Sequence, residues 1–410
     1  MTSDVAAATD RGPAVAYLGG LGADLLAESM WLVALAWAAV HSGSATAAAG
    51  LLAIGYVPRV AVMLFGGAIA DRFGLARTAS VTLFLRLLAM IALGIALSDP
   101  TPSWWFLAAA SAAFGLVDAV HIPAVRGLPG LLGTDGPAVG SIQGLASTVG
   151  QVVTIVGAPV AGALIAWRPG SAVAWACCAL LVVAQIAFGR LRRHLPAPAA
   201  PDRLQSIQSR VATGLRTAWG NGRVRVMLIM FLATNALSVA PIFLGVPLRA
   251  HEQGWSATVF GVASLGFAAG SAVGAAVMAR LHRRINEPIR TGVILWLLGC
   301  LGLVGLSLAR DPISVTVCCA YVGLFFAPGS SIMIGEVQSA TPKQSMGAMM
   351  AVVGVAIYGF IPLGQVVFGV VVGATSLTVT SLAFSFALIV VLAVGLVRVG
   401  AASAAAAPVR

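Results

Sequence analysis

Residues 48–77 read AAGLLAIGYVPRVAVMLFGGAIADRFGLAR, and this stretch indicates what kind of protein the chain is. Its first part, 48–70, contains one charged side chain, Arg59, and the apolar run ends at Asp71 and Arg72. An α-helix rises about 1.5 Å per residue, so a run of this length crosses the roughly 30 Å hydrocarbon core of a bilayer. The stretch therefore predicts a membrane-crossing helix that ends in a charged loop.

The rest of the chain has the same character. Of its 410 residues, 59% are hydrophobic and only 9% are charged, and the mean hydropathy is +0.98. Water-soluble domains contain about 25% charged residues. The apolar runs also lack the alternation that is typical of strands in membrane β-barrels. The composition therefore predicts an all-α membrane protein.

Apolar runs separated by turn-forming or charged residues give twelve predicted transmembrane helices. The predicted spans are 14–40, 48–70, 79–97, 104–126, 138–166, 171–189, 224–248, 257–279, 290–308, 313–335, 346–371 and 376–398. Six spans precede the Arg-rich stretch 190–223 and six follow it. We therefore expect an N-terminal six-helix bundle at 1–189, a cytoplasmic basic linker at 190–223, and a C-terminal six-helix bundle at 224–410.

An internal repeat supports this division into six plus six. The tripeptide Ser-Ala-Thr begins at Ser44 before the second span and at Ser256 before the eighth. A pair of glycines five residues apart begins at Gly157 in the fifth span and at Gly364 in the eleventh. Repeated halves are common among secondary transporters, in which the substrate path lies at the interface of the repeats.

Charge in the loops predicts the orientation. Most of the 24 Lys and Arg residues lie on the side that holds both predicted termini and the linker, whereas Arg168, Arg249 and Arg310 lie on the other. Cytoplasmic loops are enriched in Lys and Arg. Both termini are therefore expected in the cytoplasm, and the chain is expected to be a multi-pass protein of the plasma membrane.

Several classes of function are disfavoured. The longest polar stretch, 190–223, leaves no room for a soluble catalytic domain, so an enzyme is not expected. The Lys and Arg residues behind the net charge of +11 are distributed among the loops and are not gathered in one basic domain. This distribution argues against nucleic-acid binding. The five cysteines lie in apolar runs without metal-ligand spacing, and no nucleotide-binding motif is present. We therefore expect no metal and no cofactor.

Five charged residues fall in the interior of predicted spans, away from the ends of the spans. Asp24 and Glu28 are four residues apart and share one face of the first helix. Their depth predicts a meeting with Arg59 of the second span, and Arg86 and Asp118 of the next two spans form a second predicted pair. A charge at a helix centre costs roughly 2.5–3.5 kcal/mol, so partners are expected.

Two roles are open for these charges. Desolvation disfavours a carboxylate and a nearby guanidinium favours it, so moving an Arg between conformations would load and release a proton. The alternative is a permanent salt-bridge network that holds the helices together. Gln151, Asn235 and Tyr321 are candidates to line a substrate cavity, or else to make hydrogen bonds between helices. His121 is expected to be structural.

The segment Gly67-Ala68-Ile69-Ala70-Asp71-Arg72-Phe73-Gly74-Leu75-Ala76-Arg77 resembles the loop motif of the major facilitator superfamily. This resemblance implies twelve helices in two bundles, and a role in gating for Gly67, Asp71, Arg72 and Arg77. The loop departs from the family pattern at Leu75 and Ala76, where basic residues are usual.

A second segment, Gly157-Ala158-Pro159-Val160-Ala161-Gly162, resembles the Gly-Pro motif of antiporters in that family, with Gly157, Pro159 and Gly162 as its main residues. The tracts 115–129 and 256–284 look most like the branch that contains the enterobactin exporter and the macrolide efflux proteins. The fifth span, however, begins with Ile142-Gln143 where that branch would have Asn.

The sequence therefore favours a secondary active transporter that works by alternating access. The favoured function is proton-coupled export of a small amphipathic or apolar compound such as a drug, siderophore or natural product. The expected partners are this small molecule, protons and the lipid bilayer, and the functional unit is expected to be a monomer. A proton-symport importer and a non-transporting membrane sensor of the same fold are the alternatives.

Overall fold

The structure is a computed structural model. It describes residues 11–41, 44–98, 103–132, 136–168, 171–194, 216, 219–281, 285–341 and 346–405. The regular elements in these ranges are all helices. The prediction of an all-α protein is therefore confirmed.

The helices follow the predicted spans closely and extend beyond several of them. They are α1 (Arg11–His41), α2 (Ala45–Phe73), α3 (Leu75–Ala96), α4 (Trp104–Gly127), α5 (Gly136–Trp167), α6 (Ser171–His194), α7 (Gly222–Phe243, continued by Gly245–Glu252), α8 (Ala257–Leu281), α9 (Pro288–Leu308), α10 (Pro312–Ser339), α11 (Met346–Tyr358, continued by Ile361–Ala374) and α12 (Leu377–Ala405). A single helical turn, Pro129–Leu132, precedes α5.

Within the described ranges, 11 helices are long and apolar enough to cross a membrane. The remaining predicted span, 138–166, overlaps a shorter apolar helical segment, Val156–Trp167. The chain is therefore a multi-pass membrane protein, with one helix at each of the twelve predicted positions.

Two of the predicted spans are interrupted. The helix α7 breaks at Leu244, three residues after Pro241, whose ring cannot donate a backbone hydrogen bond. The helix α11 breaks at Gly359 and Phe360, and its second segment starts with Pro362 in the first turn, where a missing N–H costs nothing. The sequence predicts continuous helices over 224–248 and 346–371, because hydropathy does not report backbone breaks.

Asn221 and Asp311 cap the first turns of two helices, outside the membrane spans. The side chain of Asn221 accepts hydrogen bonds from the backbone at Arg223 and Val224 at the start of α7. The carboxylate of Asp311 accepts from the backbone N–H of Ser314 and of Ile313, at 2.9 and 3.0 Å, at the start of α10. These bonds lower the pKa of Asp311, so this cap is strongest above the usual pKa of an aspartate and weakens in acid.

A proline and a glycine bring two pairs of helices into backbone contact. Pro123 of α4 has no N–H, so the carbonyl oxygen of Ala119, four residues earlier, lacks its usual helical hydrogen bond. Gly66 of α2 lies so close to this oxygen that a Cβ on the glycine would overlap it. The same arrangement joins α8 to α10. Pro328 of α10 leaves the carbonyl oxygen of Leu324 free, and Gly274 of α8 lies against that oxygen. A Cα–H donor from glycine suits such a freed carbonyl. The two halves therefore repeat one packing device.

The chain groups into two compact units. The first consists of Met1–Leu35 with Val57–Leu204, and the second of Ala36–Tyr56 with Gln205–Arg410. The hairpin at the end of α1 and the start of α2 thus belongs with the second unit, where Thr46 donates to the carbonyl oxygen of Gly369 at 3.2 Å. Most of the predicted linker lies outside the described residues, so the division at 190–223 stays a prediction.

Arg249 caps the end of a neighbouring helix in the second unit. Its guanidinium donates to the carbonyl oxygens of Leu306, Ser307 and Ala309, the first two at 3.1 and 2.9 Å, and to the hydroxyl of Thr378 at 3.4 Å. The last carbonyls of a helix have no partner within it. Arg249, which the sequence placed in a loop, therefore joins α7, the end of α9 and the start of α12.

Substituting Arg249 with Ala should lower the stability of the protein, because the buried carbonyls at the end of α9 lose their donor. Each unsatisfied buried group costs about 1–3 kcal/mol. The measurement is the thermal unfolding midpoint of purified protein in detergent. Arg310→Ala, which removes an exposed cation beside the same helix end, is the control and should leave the midpoint unchanged. Equal midpoints for the two variants would contradict the capping role.

Candidate functional site

Four helices of the first unit bring ionisable side chains together inside the membrane-spanning region. The group contains Asp24 and Glu28 from α1, Arg59 from α2, Arg86 from α3, and Asp118 and His121 from α4. We call these six residues the charge cluster. The i, i+4 spacing on α1 and the i, i+3 spacing on α4 turn each pair toward the same neighbours.

Arg86 lies at the centre of the charge cluster. Its side chain is 1% exposed and contacts three carboxylates: Asp24 at 2.5 Å, Asp118 at 3.3 Å and Glu28 at 3.8 Å. Its guanidinium carbon is also 5.8 Å from the centre of the Phe114 ring, within range of a cation–π contact. One buried cation therefore links α1, α3 and α4.

Arg59 joins the charge cluster from α2, and its helix position directly follows Pro58. It lies 3.5 Å from Glu28 and 3.8 Å from Asp118. Both arginines thus contact Asp118 and Glu28, while Asp24 makes its ion pairs with Arg86 and His121. The sequence predicted two separate groups, Arg59 with the two acids of α1 and Arg86 with Asp118. The structure joins them in one network in which Arg59 contacts Glu28 and Asp118.

His121, which was expected to be structural, contacts Asp24 within the charge cluster. It is 2% exposed, and its Nε2 lies 2.8 Å from Asp24 Oδ2. Its Nδ1 lies 2.8 Å from the hydroxyl of Thr82 on α3. The sequence contained a signal for this role, since His121 follows Asp118 by three residues and therefore shares its face of α4.

The charges of this group are nearly balanced. Three carboxylates and two guanidinium groups leave a net charge of −1 when His121 is neutral, and one added proton makes the total zero. An unbalanced charge away from water is costly, whereas a paired one is tolerated. The arrangement is therefore suited to hold one exchangeable proton. Among the described residues, no group of three or more His, Cys, Asp or Glu side chains is placed to hold a metal ion.

The three predicted cavity residues are on helices other than those that carry the charge cluster: Gln151 on α5, Asn235 on α7 and Tyr321 on α10. The amide of Asn235 donates to Phe231 of its own helix at 3.0 Å. The ring of Tyr321 lies 4.8 Å from that of Phe325 and against Gly302 of α9. Gln151 is in α5, and its side chain is outside the described part of the structure. Their role in a substrate cavity stays a prediction.

The predicted gating loop forms a tight turn between two helices. The helix α2 ends at Phe73, Gly74 adopts a positive φ of 85°, and α3 begins at Leu75. That backbone conformation is open to glycine at little cost. Arg72 is exposed, with its guanidinium carbon 5.7 Å from the centre of the Phe73 ring, and Arg77 is exposed as well. Gly67 and Asp71 are in α2, but their surroundings lie outside the part of the chain that the structure describes.

The predicted Gly-Pro motif lies inside α5, with Gly157 and Gly162 buried and Pro159 within the helix. A Cβ on Gly157 would come 2.5 Å from the hydroxyl of Ser29 on α1. In the second half, a Cβ on Gly364 would overlap the carbonyl oxygen of Ala236 on α7. The glycine pairs of the predicted repeat therefore support equivalent close contacts, α5 with α1 and α11 with α7.

Comparison with known proteins adds three findings. The family described as Major Facilitator Superfamily matches residues 18–365. The multidrug efflux pump Tap of Mycolicibacterium fortuitum is 25% identical over 396 residues, which cover 92% of this chain and 93% of that protein. The multidrug efflux pump Tap of Mycobacterium tuberculosis is likewise 25% identical, over 93% of this chain and 92% of that protein.

Solved structures of other transporters resemble the whole chain. The crystal structure of the POT family transporter PepTSo has a TM-score of 0.74 at 12% identity, with 95% of this chain and 98% of that chain covered. A bacterial homologue of the iron transporter ferroportin in the inward-facing state has a TM-score of 0.72 at 15% identity, over 94% and 98%. At these identities the likeness shows a common fold and no more.

Proposed function

The chain belongs to the major facilitator superfamily, and from this premise we propose that it exports small amphipathic or apolar compounds, drugs among them, in exchange for protons. It is a membrane transporter and not an enzyme. Two relatives that match almost its full length are named multidrug efflux pumps, which supports a drug as the substrate and outward flux as the direction.

The charge cluster is the observation that carries proton coupling. Four of its six residues are buried, it spans four helices, and its net charge reaches zero on binding one proton. A proton that moves inward across a membrane potential contributes about 2.3 kcal/mol per 100 mV. Since about 1.4 kcal/mol corresponds to a factor of ten in concentration, one proton suffices for more than tenfold accumulation of a neutral compound.

Dye transport in proteoliposomes tests this function. Purified protein is reconstituted, a pH gradient is imposed, and the uptake of ethidium into the compartment that is initially acidic is followed by fluorescence. Exchange predicts accumulation in that compartment, and a protonophore should abolish it. Accumulation in the alkaline compartment would indicate symport, and binding of ethidium without flux would indicate a sensor.

We extend the proposal to the placement of the chain. Both termini and the 190–223 linker lie in the cytoplasm, the membrane is the plasma membrane, and the working unit is a monomer. The loop from Gly67 to Arg77 acts as a gate, because a carboxylate and arginines beside two helix ends allow different pairings in different conformations.

The topology gives a direct expectation for labelling. In a background without the five native cysteines, Ser206→Cys in the linker should resist an impermeant thiol reagent added to intact cells, and should react once the cells are opened. Ser256→Cys, an exposed position just before α8, should react in intact cells. The reverse pattern would overturn the orientation.

A further inference from the structure

The tautomer of His121 follows from its two neighbours. Thr82 has one hydroxyl hydrogen, and its oxygen lies 2.7 Å from the carbonyl oxygen of Thr78 and 3.0 Å from that of Ala79. A separation of 2.7 Å between a hydroxyl and a carbonyl oxygen is the usual length of an O–H···O bond. The hydrogen of Thr82 is therefore donated to the backbone of its own helix, and its oxygen is left to accept.

Nδ1 of His121 must then be the donor in its 2.8 Å contact with Thr82, so it carries a hydrogen. The other ring nitrogen, Nε2, is 2.8 Å from Oδ2 of Asp24. A neutral imidazole has a hydrogen on one nitrogen only, so Nε2 would face the carboxylate with a lone pair. Two acceptors at this distance repel each other unless a proton lies between them.

We infer that the Asp24–His121 pair is the site that carries the transported proton, and that Thr82 is a positioning residue that holds His121 in the tautomer required for this. The proton is bonded either to Nε2, beside a carboxylate, or to Oδ2, beside a neutral ring. The assignment of the proton rests on the contacts alone, and its role in transport rests on the proposed function.

The other titratable and charged groups around the pair fit one proton. Arg86 from α3 and Arg59 from α2 supply two positive charges, and Glu28 from α1 and Asp118 from α4 supply two negative charges. Cys177 of α6 lies near Arg86, and its thiol donates to the carbonyl oxygen of Ala27 at 3.4 Å. The charges of these groups sum to zero, so the whole charge cluster is neutral when the pair holds its proton and carries −1 when the proton has left.

Loss of the proton would change the contact between α1 and α4. The proton leaves from Nε2 or Oδ2 to water, and no other bond is broken. The lone pair of Nε2 then faces the charged carboxylate of Asp24, and the pair separates unless it binds a new proton. The proton thereby controls a link between two helices of the first unit.

Nuclear magnetic resonance of the histidine nitrogens tests the proton position directly. The full chain, labelled with 15N at histidine and held in lipid nanodiscs, contains five histidines, and the His121 signals are identified by their loss in His121→Gln. We expect Nδ1 of His121 to carry a hydrogen at neutral pH. A neutral ring with its hydrogen on Nε2 and none on Nδ1 would overturn the inference, whatever the protein transports.

Variants of Thr82 test the positioning role by a readout that packing alone would not move. Thr82→Ser retains the hydroxyl, whereas Thr82→Val retains the shape and loses the acceptor. For Thr82→Val we expect the proton concentration at half-maximal ethidium transport to rise about tenfold, the change that corresponds to one pH unit. Thr82→Ser should match the wild type.

The outcomes separate this inference from the proposed function. Unchanged pH profiles in both Thr82 variants would refute the positioning role of Thr82. If the ring of His121 has the expected hydrogens but ethidium never responds to a pH gradient, proton coupling fails and the proton assignment stands. If ethidium transport is coupled to protons but Nδ1 of His121 lacks a hydrogen, proton coupling stands and the Asp24–His121 pair is not the site of the transported proton.

Discussion

Asp24→Asn is expected to abolish accumulation of ethidium against a gradient, while exchange of ethidium down its gradient continues in part. The substitution removes one negative charge, so the charge cluster becomes neutral without binding a proton. The amide also retains an oxygen that can accept from Arg86, which lies 2.5 Å from the carboxylate in the native protein. The variant therefore mimics a permanently protonated acid, and the accumulation ratio of ethidium under a pH gradient is expected to fall to one.

Glu28→Gln serves as the matched comparison, because Glu28 is more exposed and its contacts with the two arginines are longer, at 3.5 and 3.8 Å. A buried charge that loses its partner destabilises a protein by about 3–5 kcal/mol, so thermal unfolding must be measured alongside transport. Full gradient-driven accumulation in both variants would show that these acids are structural. The search for the proton site would then move to Asp118.

Gly270→Leu is expected to eliminate most of the folded protein. A Cβ at Gly270 would overlap the carbonyl oxygen of Ala320, and Gly274, one turn further along α8, meets the carbonyl oxygen of Leu324 in the same way. Neither backbone can yield without separating α8 from α10. Overpacking of a core costs typically 1–3 kcal/mol, and direct contact with a backbone places this variant at about 3 kcal/mol or more.

The measurement is the yield of monodisperse protein after extraction in mild detergent. Gly335→Leu is the control, because it introduces the same side chain at a position on α10 where an added Cβ meets open space. Its yield should equal that of the wild type. Equal yields for Gly270→Leu and Gly335→Leu would mean that α8 and α10 are not packed backbone to backbone.

The sequence predicted the number and class of the helices well, because length and hydropathy are properties of each segment by itself. It predicted less of the charge cluster. Depth along a helix indicates the level of a side chain in the membrane, but not its rotation about the helix axis. Asp24 and Arg59 were therefore paired by level, whereas the structure turns Asp24 toward Arg86 and His121.

The sequence did not predict the breaks in α7 and α11 or the role of Thr82, and the physical reason here is different. Leu244 and Phe360 lie in apolar runs. Hydropathy does not depend on whether a backbone hydrogen bond is made, so it does not indicate that the helix breaks at these residues. Thr82 is a small residue on an apolar helix, and its importance arises only from the ring nitrogen placed beside it. The spacing between Asp118 and His121 was visible in the sequence.

The placement of every charge-cluster residue in α1–α4 has an evolutionary consequence. Among the described residues from Gly222 to Ala405, Arg249 is the one buried charge, and it caps a helix. Selection for new substrates can therefore alter the membrane-spanning helices of the second half of the chain without changing the groups that we propose to hold the proton. Point mutations that broaden a resistance spectrum should accumulate there, and substitutions at the charge cluster should be purged even when the drug changes.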